Sequence, residues 1–429
     1  RGMLAGLDIE IASTCYQNHL EELITSKQID MSLLDDAVRR VLILKRDIGL
    51  FENPYKGAQV DDERMLVRSK SHLDSSLKIA HESAVLLKND HILPIDRKMT
   101  IALIGPYAKS KSTHGPWSWK GDINLNQTLE DALDNAGVQL VFLKSAIHEG
   151  ELTVEDLDKM SKADVVIVAA GEQAKQSGEA HSRSDIHLPN KQNTLVKVAK
   201  KLNKPVVLIL FNGRPLILDH VMEADAILET WFLGSRSSEA IVDLIYGNVN
   251  PSGKLPMSFP RNVGQVPVYY NHLNTGRPIV KEAYNEFVTR YLDVENTPLF
   301  PFGYGLSYAN FVYKDFNLDK TEMELDQTIN VSVSISNDSQ IAGYETVQLY
   351  IRDYVAHTAR PVKELKKFQK IWIEPNMYKT VQFQIGLEDL MYQDDQGNPI
   401  YEIGRFAVMV GPDSEKVMSA DFVLKEAKK

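Results

Sequence analysis

The sequence predicts a multidomain chain of α/β plus all-β class: an α/β sandwich with a mostly parallel sheet, then a β-sandwich. Between about residues 71 and 260, short apolar runs alternate with helix-length amphipathic stretches, as in strands joined by crossover helices. After about residue 308 the pattern changes to period-2 alternation broken by turn residues, the mark of half-buried antiparallel strands. The 429 residues leave room for two to four domains at about 100–200 residues each.

The elements follow in order. Residues 1–55 read as helical, with a first helix over roughly 16–26. Ser32 and Asp35 make a capping-box-like start to a second. Leu34, Ala37, Val38, Val41, Leu42 and Ile48 then fall on one face, Gly49 sits at the expected C-cap and Pro54 stops the helix. Two such helices are too small for a domain of their own, so their apolar faces call for a partner. Residues 56–70 read as a linker.

The α/β sandwich is expected over 71–265. Its strands are predicted at 85–88, 101–105, 138–143, 165–170, 206–211 and 226–229. Its helices are predicted near 73–81, 129–135, 154–162, 191–202 and 237–246. Ligands of such sheets bind outside the carboxyl ends of the strands, which singles out the loops after Ile104 and Ala170. A connector over 266–308, Pro/Gly-rich from Pro298, precedes the last domain, 309–429. Stretches such as 329–336, 345–351, 380–385 and 405–410, separated by turns like Asp395–Pro399, read as about seven strands of an immunoglobulin or fibronectin type III kind of sandwich.

Composition narrows the function classes. Acidic residues outnumber basic ones, 58 to 48, for a net charge of −10, which argues against nucleic acid as the partner. No apolar run is long enough to span a membrane. Cys15 is the single cysteine, so no internal disulfide forms, and a packed role is expected for it rather than a nucleophilic one. The chain begins at Arg1 with neither an initiator Met nor a signal peptide; the expectation is that something was removed upstream or that this is a piece of a longer protein.

Two loops can carry chemistry. Residues 171–185 combine glycines with Glu172, Glu179, His181 and Arg183. A carboxyl group there can serve as a general acid once its surroundings are dried; the same composition also suits a solvated loop with weak ion pairs. The loop after Ile104 carries Trp117 and Trp119 among glycines and prolines. Such rings can form a platform for the apolar face of a sugar, or simply bury for stability. Gly213-Arg214-Pro215 puts a guanidinium either at the functional edge of the sheet or in a structural pair. His72, His81, His91, His181 and His187 lack metal-ligand spacing, so no metal is assigned. No cofactor is expected, since dinucleotide, phosphate-loop and nucleophile-elbow motifs are missing. Asn126, Asn330 and Asn337 open glycosylation-type triplets.

Several segments together resemble glycoside hydrolase family 3, the β-glucosidase family, in its periplasmic bacterial form. They are Ala5-Gly6-Leu7-Asp8-Ile9-Glu10, Ala37–Leu42 with Lys45 and Gly49-Leu50-Phe51, and Glu82–Asn89. More specific are Asn212-Gly213-Arg214-Pro215-Leu216, Asn250–Pro256 and Pro301-Phe302-Gly303-Tyr304-Gly305-Leu306-Ser307-Tyr308. The resemblance covers essentially the whole chain. It implies a fold of a (β/α)₈ barrel, an α/β sandwich and a fibronectin type III-like domain, with residues 1–55 as the C-terminal helices of a barrel otherwise absent.

The resemblance also implies a retaining, exo-acting hydrolase of terminal β-D-glucosyl residues, in the periplasm or secreted. A barrel Asp is the nucleophile, and a carboxylic acid from the α/β domain is the acid/base, about 5–5.5 Å away. The Gly-Glu…Glu-Ala-x-Ser-Arg pattern implies Glu179 as acid/base, with Glu172 the alternative; Trp117, which matches the family's Gly-x-Trp-Ser aromatic, is implied as substrate-binding, and Trp119 stays a substrate-binding candidate from the loop itself. Two departures stand out. Arg236 occupies a position usually acidic or amide. The Ser-Asp-Trp-like nucleophile motif does not occur, and neither Asp8 nor Asp30 has its context. The expected partners are therefore a β-glucoside or oligosaccharide and the N-terminal barrel fragment, without which the chain is expected to be inactive. β-Xylosidase, α-arabinofuranosidase and broad β-glucan exohydrolase are alternative specificities. A noncatalytic sugar-binding protein is the alternative from another class.

Overall fold

The structure is a computed structural model describing residues 1–57, 59–118, 121–142, 152–278 and 286–426. The chain divides into two compact units, Arg1–His72 and Leu73–Lys429. The first holds α1 (Cys15–Thr25), α2 (Met31–Asp47) and α3 (Val60–Leu66). The chain passes into the second along α4 (Lys70–Ser83). Asp30, rather than Ser32, caps α2: its carboxylate accepts from Ser32 N at 2.8 Å, the role a short acidic side chain fills best at that position. Tyr16, Leu20, Leu23 and Ile24 of α1 pack with Leu33, Leu34 and Ala37 of α2 around buried Met3 and Ile29. Val38, Leu42 and Ile48, expected on the same buried face, are exposed. Residues 60–66 of the expected linker form α3. Cys15 is exposed at the start of α1, contrary to its expected packing; the packing face of the helix is Tyr16, Leu20, Leu23 and Ile24.

The second unit begins with β1 (Val85–Asn89), β2 (Ile101–Ile104), α5 (Leu129–Asn135), β3 (Leu140–Phe142), α6 (Val154–Lys162), β4 (Val165–Gly171), α7 (Asn193–Lys201), β5 (Val206–Phe211), β6 (Ala226–Glu229) and α8 (Ser237–Ile245). The strands form one sheet in the order β1-β6-β5-β4-β2-β3, parallel throughout except for antiparallel β1 on β6. Alternation along each strand makes two cores. Leu103, Ile167, Val207 and Ile209 face Leu129, Leu133, Ala240 and Leu244 of α5 and α8. Ile104, Val166, Val168 and Leu208 face Met160, Leu195 and Val196 of α6 and α7. Helices on both faces are what a parallel sheet requires. Thr128 and Thr153 each make a capping box with the Asp three residues on, Asp131 and Asp156, which fixes the starts of α5 and α6.

The strand order reverses direction at β2 and β4, since the chain leaves β2 for β3 on one side and returns to β4 on the other. A crevice opens at such a switch point, outside the carboxyl ends of the strands. The loops after β2 and β4 flank it, as the sequence expects.

The remaining strands are β7 (Phe311–Leu318), β8 (Glu322–Glu324), β9 (Ile329–Asn337), β10 (Gly343–Asp353), β11 (Glu364–Ile373), β12 (Tyr378–Ile385), β13 (Tyr392–Gln393), β14 (Pro399–Ile400), β15 (Gly404–Gly411) and β16 (Met418–Lys425), with short α9 (Leu387–Leu390) after β12. A five-stranded sheet, β11-β10-β15-β16-β8, faces a three-stranded one, β12-β9-β7. Val331, Val333 and Ile335 of β9 meet Val347, Leu349, Val408 and Phe422 in the shared core, so the period-2 reading resolves into a two-sheet sandwich.

Candidate active site

The loop after β4 starts from a backbone that only glycine fits. Gly171 has φ +154°, and a Cβ there would stand 1.8 Å from Phe211 O of the neighbouring strand. Gln192 holds the same residue from the other side, accepting from Gly171 N at 2.7 Å and donating to Gly171 O at 3.0 Å. Glu172 is thereby turned into the protein and is fully buried. Its carboxylate accepts from Arg183 Nη1 at 2.6 Å and from Arg214 Nε at 3.3 Å. Its backbone carbonyl accepts from the Tyr107 hydroxyl. Tyr107 lies flat on Phe211, with ring centroids 4.3 Å apart. Burial, then the charge of Glu172, push the Tyr107 phenol well above its ordinary range, so it stays a donor.

The two arginines carry the bond network outward. Arg214 Nη2 donates to Gln176 O and, at 2.8 Å, to His181 O. Arg183 Nη2 donates to His187 O at 3.2 Å. One buried carboxylate thus ties the start, middle and end of residues 171–187. Sequence reasoning left Arg214 undecided between a functional and a pairing role; it pairs. The signal for the clamp was a Glu at the end of a wholly apolar strand, since a charge there needs cations.

Glu179 has the opposite surroundings. It is exposed, beyond Gly178, which has φ +99°. Its backbone carbonyl is 2.6 Å from His181 Nδ1. A Cβ on Gly178 would come within 3.0 Å of Pro116 Cγ and 3.3 Å of Trp117 Nε1. The loop after β2 therefore touches the loop after β4 just before Glu179. Trp117 itself is 61% exposed, so it does not close the core. Trp119 lies outside the described residues.

A second buried carboxylate escaped the sequence reading. Glu229 ends β6 and accepts from Asn212 Nδ2 at 2.8 Å and from Trp231 N at 2.7 Å. Burial pushes it up to about 8, with Glu172 adding to the rise and the bonds from Asn212 and Trp231 opposing it. Arg236 pairs with Glu239 inside its own helical turn at 2.7 Å. Asn126 and Asn337 are buried, so two of the three glycosylation-type triplets are closed to modification.

A parallel sheet whose switch point is flanked by a carboxylate-bearing loop and an aromatic loop, followed by a fibronectin-like sandwich, defines a class also found in sequence. Residues 84–308 match the glycosyl hydrolase family 3 C-terminal domain, and residues 345–414 a fibronectin type III-like domain. The chain belongs to glycosyl hydrolase family 3.

Among its relatives, the periplasmic β-glucosidase of Salmonella typhimurium is 40% identical over 98% of this chain and 59% of that protein. A β-xylosidase of Formosa agariphila is 33% identical over 96% of this chain and 59% of that protein. The crystal structure of a β-glucosidase from Listeria innocua in complex with isofagomine superposes with a TM-score of 0.89 at 39% identity, covering 99% of this chain and 60% of that one. The chain thus spans about three-fifths of the length of these relatives. Among the described residues, no helix is long and apolar enough to cross a membrane.

Proposed function

We propose that this chain is the C-terminal part of a retaining, exo-acting β-glucosidase, and that Glu179 is its general acid/base. In this reading Glu179 protonates the glycosidic oxygen as the bond to the sugar breaks. It then takes a proton from the water that releases the glycosyl-enzyme formed on an Asp of an N-terminal barrel. That barrel is the chain's partner, a β-glucoside or oligosaccharide is the substrate, and the periplasm or exterior is the location, as for the periplasmic relative. Trp117 contacts the sugar beside the acid; Trp119 is assigned the same role from its place in the same Gly/Pro-rich loop of the sequence.

The observation that carries the choice is the contrast between the two loop carboxylates. Glu172 is fully buried under two guanidinium groups and has no path to a glycosidic oxygen. Glu179 is exposed next to an exposed tryptophan. The test is Glu179→Gln in the whole protein, assayed on a β-linked disaccharide and on an aryl β-glucoside with a good leaving group. The expected result is a severe loss on the first and a partial one on the second, which needs little protonation. Normal turnover of the disaccharide would move the role elsewhere. The chain alone is expected to hydrolyse neither. Sugar binding by the whole protein with no turnover of either would favour a noncatalytic role. Because some relatives are named β-xylosidases, the same assay with aryl β-xyloside separates the two specificities.

A further inference from the structure

The loop that carries Glu179 ends at His187, and three side chains converge there that neither the clamp nor the proposed chemistry uses. Residues 186 and 187 run beside 217, joined by Ile217 N to Ile186 O at 3.0 Å and by a parallel bridge between His187 and Ile217. This brings His187 next to Asp219 and His220. Asp219 Oδ1 lies 3.4 Å from His187 Nε2 and 3.5 Å from His220 Nδ1. One ligand atom from each residue falls within 4.8 Å of the others.

These separations are long for hydrogen bonds. The two distances from Asp219 suit co-ligands of one ion: tetrahedral bonds of about 2.0–2.1 Å set neighbouring ligand atoms about 3.3–3.4 Å apart. The second observation is the bond on the far side of the His187 ring. His187 Nδ1 is 2.6 Å from Asp185 Oδ1, which also accepts from His187 N at 3.0 Å. A carboxylate oxygen only accepts, so the ring donates to it from Nδ1. That leaves Nε2, 3.4 Å from Asp219 Oδ1, as the nitrogen of this ring that can take a metal. A carboxylate behind a ligating imidazole is the arrangement that orients histidine for a metal. The imidazoles of His187 and His220 lie nearly parallel, with centroids 5.2 Å apart.

We propose that His187, Asp219 and His220 bind a divalent transition-metal ion of the zinc class, with water completing the shell, and that this ion pins the end of the Glu179 loop to residues 217–220. Two imidazoles and one carboxylate favour zinc over magnesium or calcium, which prefer all-oxygen shells.

The test uses the full chain, stripped with a chelator and dialysed, and zinc alone as the probe. Calorimetric titration is expected to show one saturable site. His220→Gln and His187→Gln should each weaken it at least tenfold, and Asp185→Asn by about tenfold, the usual cost of removing a carboxylate behind a ligand. Circular dichroism of each variant verifies the fold. Should a variant fail to fold, zinc titration of the unaltered chain followed by the ring resonances of its histidines decides instead, with His187 and His220 expected to shift together. Absence of saturable binding overturns the proposal. So does binding that survives the His187→Gln/His220→Gln double variant.

Discussion

The root and the tip of the loop after β4 present one residue type in two settings. At the root, Glu172 is buried, clamped by Arg183 and Arg214, and hung from a glycine that no other residue can replace. At the tip, Glu179 is exposed, and its anchoring contact is a glycine resting on Pro116 and Trp117. A carboxylate sealed under two cations organises backbone; a carboxylate on the surface of that scaffold is available for proton transfer. In the proposed reading the loop separates holding from reacting.

The largest effect is expected at the tip. If the proposed role holds, Glu179→Gln in the whole protein should lower kcat/KM on a β-linked disaccharide by about 10²–10⁴-fold, the range for loss of a general acid, with the melting temperature unchanged. An equal loss on substrates of every leaving-group acidity would show that the residue binds rather than protonates.

At the root the expected damage is to stability. Glu172→Gln leaves two largely buried guanidinium groups without their counter-charge. Breaking a buried pair in this way costs about 3–5 kcal/mol, which chemical denaturation of the chain measures directly. A variant with unchanged stability and lost turnover would invert the assignment of the two glutamates.

How much of this was legible beforehand depends on the range of the interaction. The alternation of apolar strands with helices was readable because each β4 or β5 residue is buried on both faces of the sheet, which leaves an unbroken apolar run. The clamp was not, because Arg214 lies on the segment after β5 and meets Glu172 only across the sheet edge. Glu229 was missed for the same reason: nothing local in Ala226–Glu229 says that Asn212 will satisfy its carboxylate. The Ser32 capping signal failed by competition, since Asp30 offers a better acceptor two residues earlier. The exposed α2 face was misread as wholly buried because periodicity reports that a face is apolar, not how much of it a single neighbouring helix can cover.

A third effect concerns the buried acid behind the clamp. Glu229 is raised to about 8 in the folded chain, while in the unfolded chain it ionises near the ordinary value of about 4.3. Between those values the folded state holds a proton that the unfolded state has released. Its contribution to stability is therefore fully present below about pH 4.3 and is lost as pH rises toward 8, by up to about 1.4 kcal/mol per pH unit. Glu229→Gln, neutral at every pH, should flatten that part of the stability profile. Stability of the unaltered chain that rises monotonically through this window relative to the variant would mean that Glu229 is ionised and paired, joining Glu172 in one clamp.

The smallest effect is expected from Trp117, and it sharpens the comparison most. The ring is 61% exposed, so its removal opens little cavity and should cost the fold little. Pro116 remains to support Gly178 at the loop tip. An aromatic contact of this kind contributes about 0.5–1.5 kcal/mol, so Trp117→Ala should reduce kcat/KM on a β-glucoside by about tenfold or less. If the ring only carries sugar, the loss is binding shared by ground and transition states, and it should fall on KM with kcat unchanged. If kcat falls instead, approaching the loss seen with Glu179→Gln, then Trp117 is holding the loop tip in position. The separation between holding and reacting would then run through the tip itself rather than between tip and root.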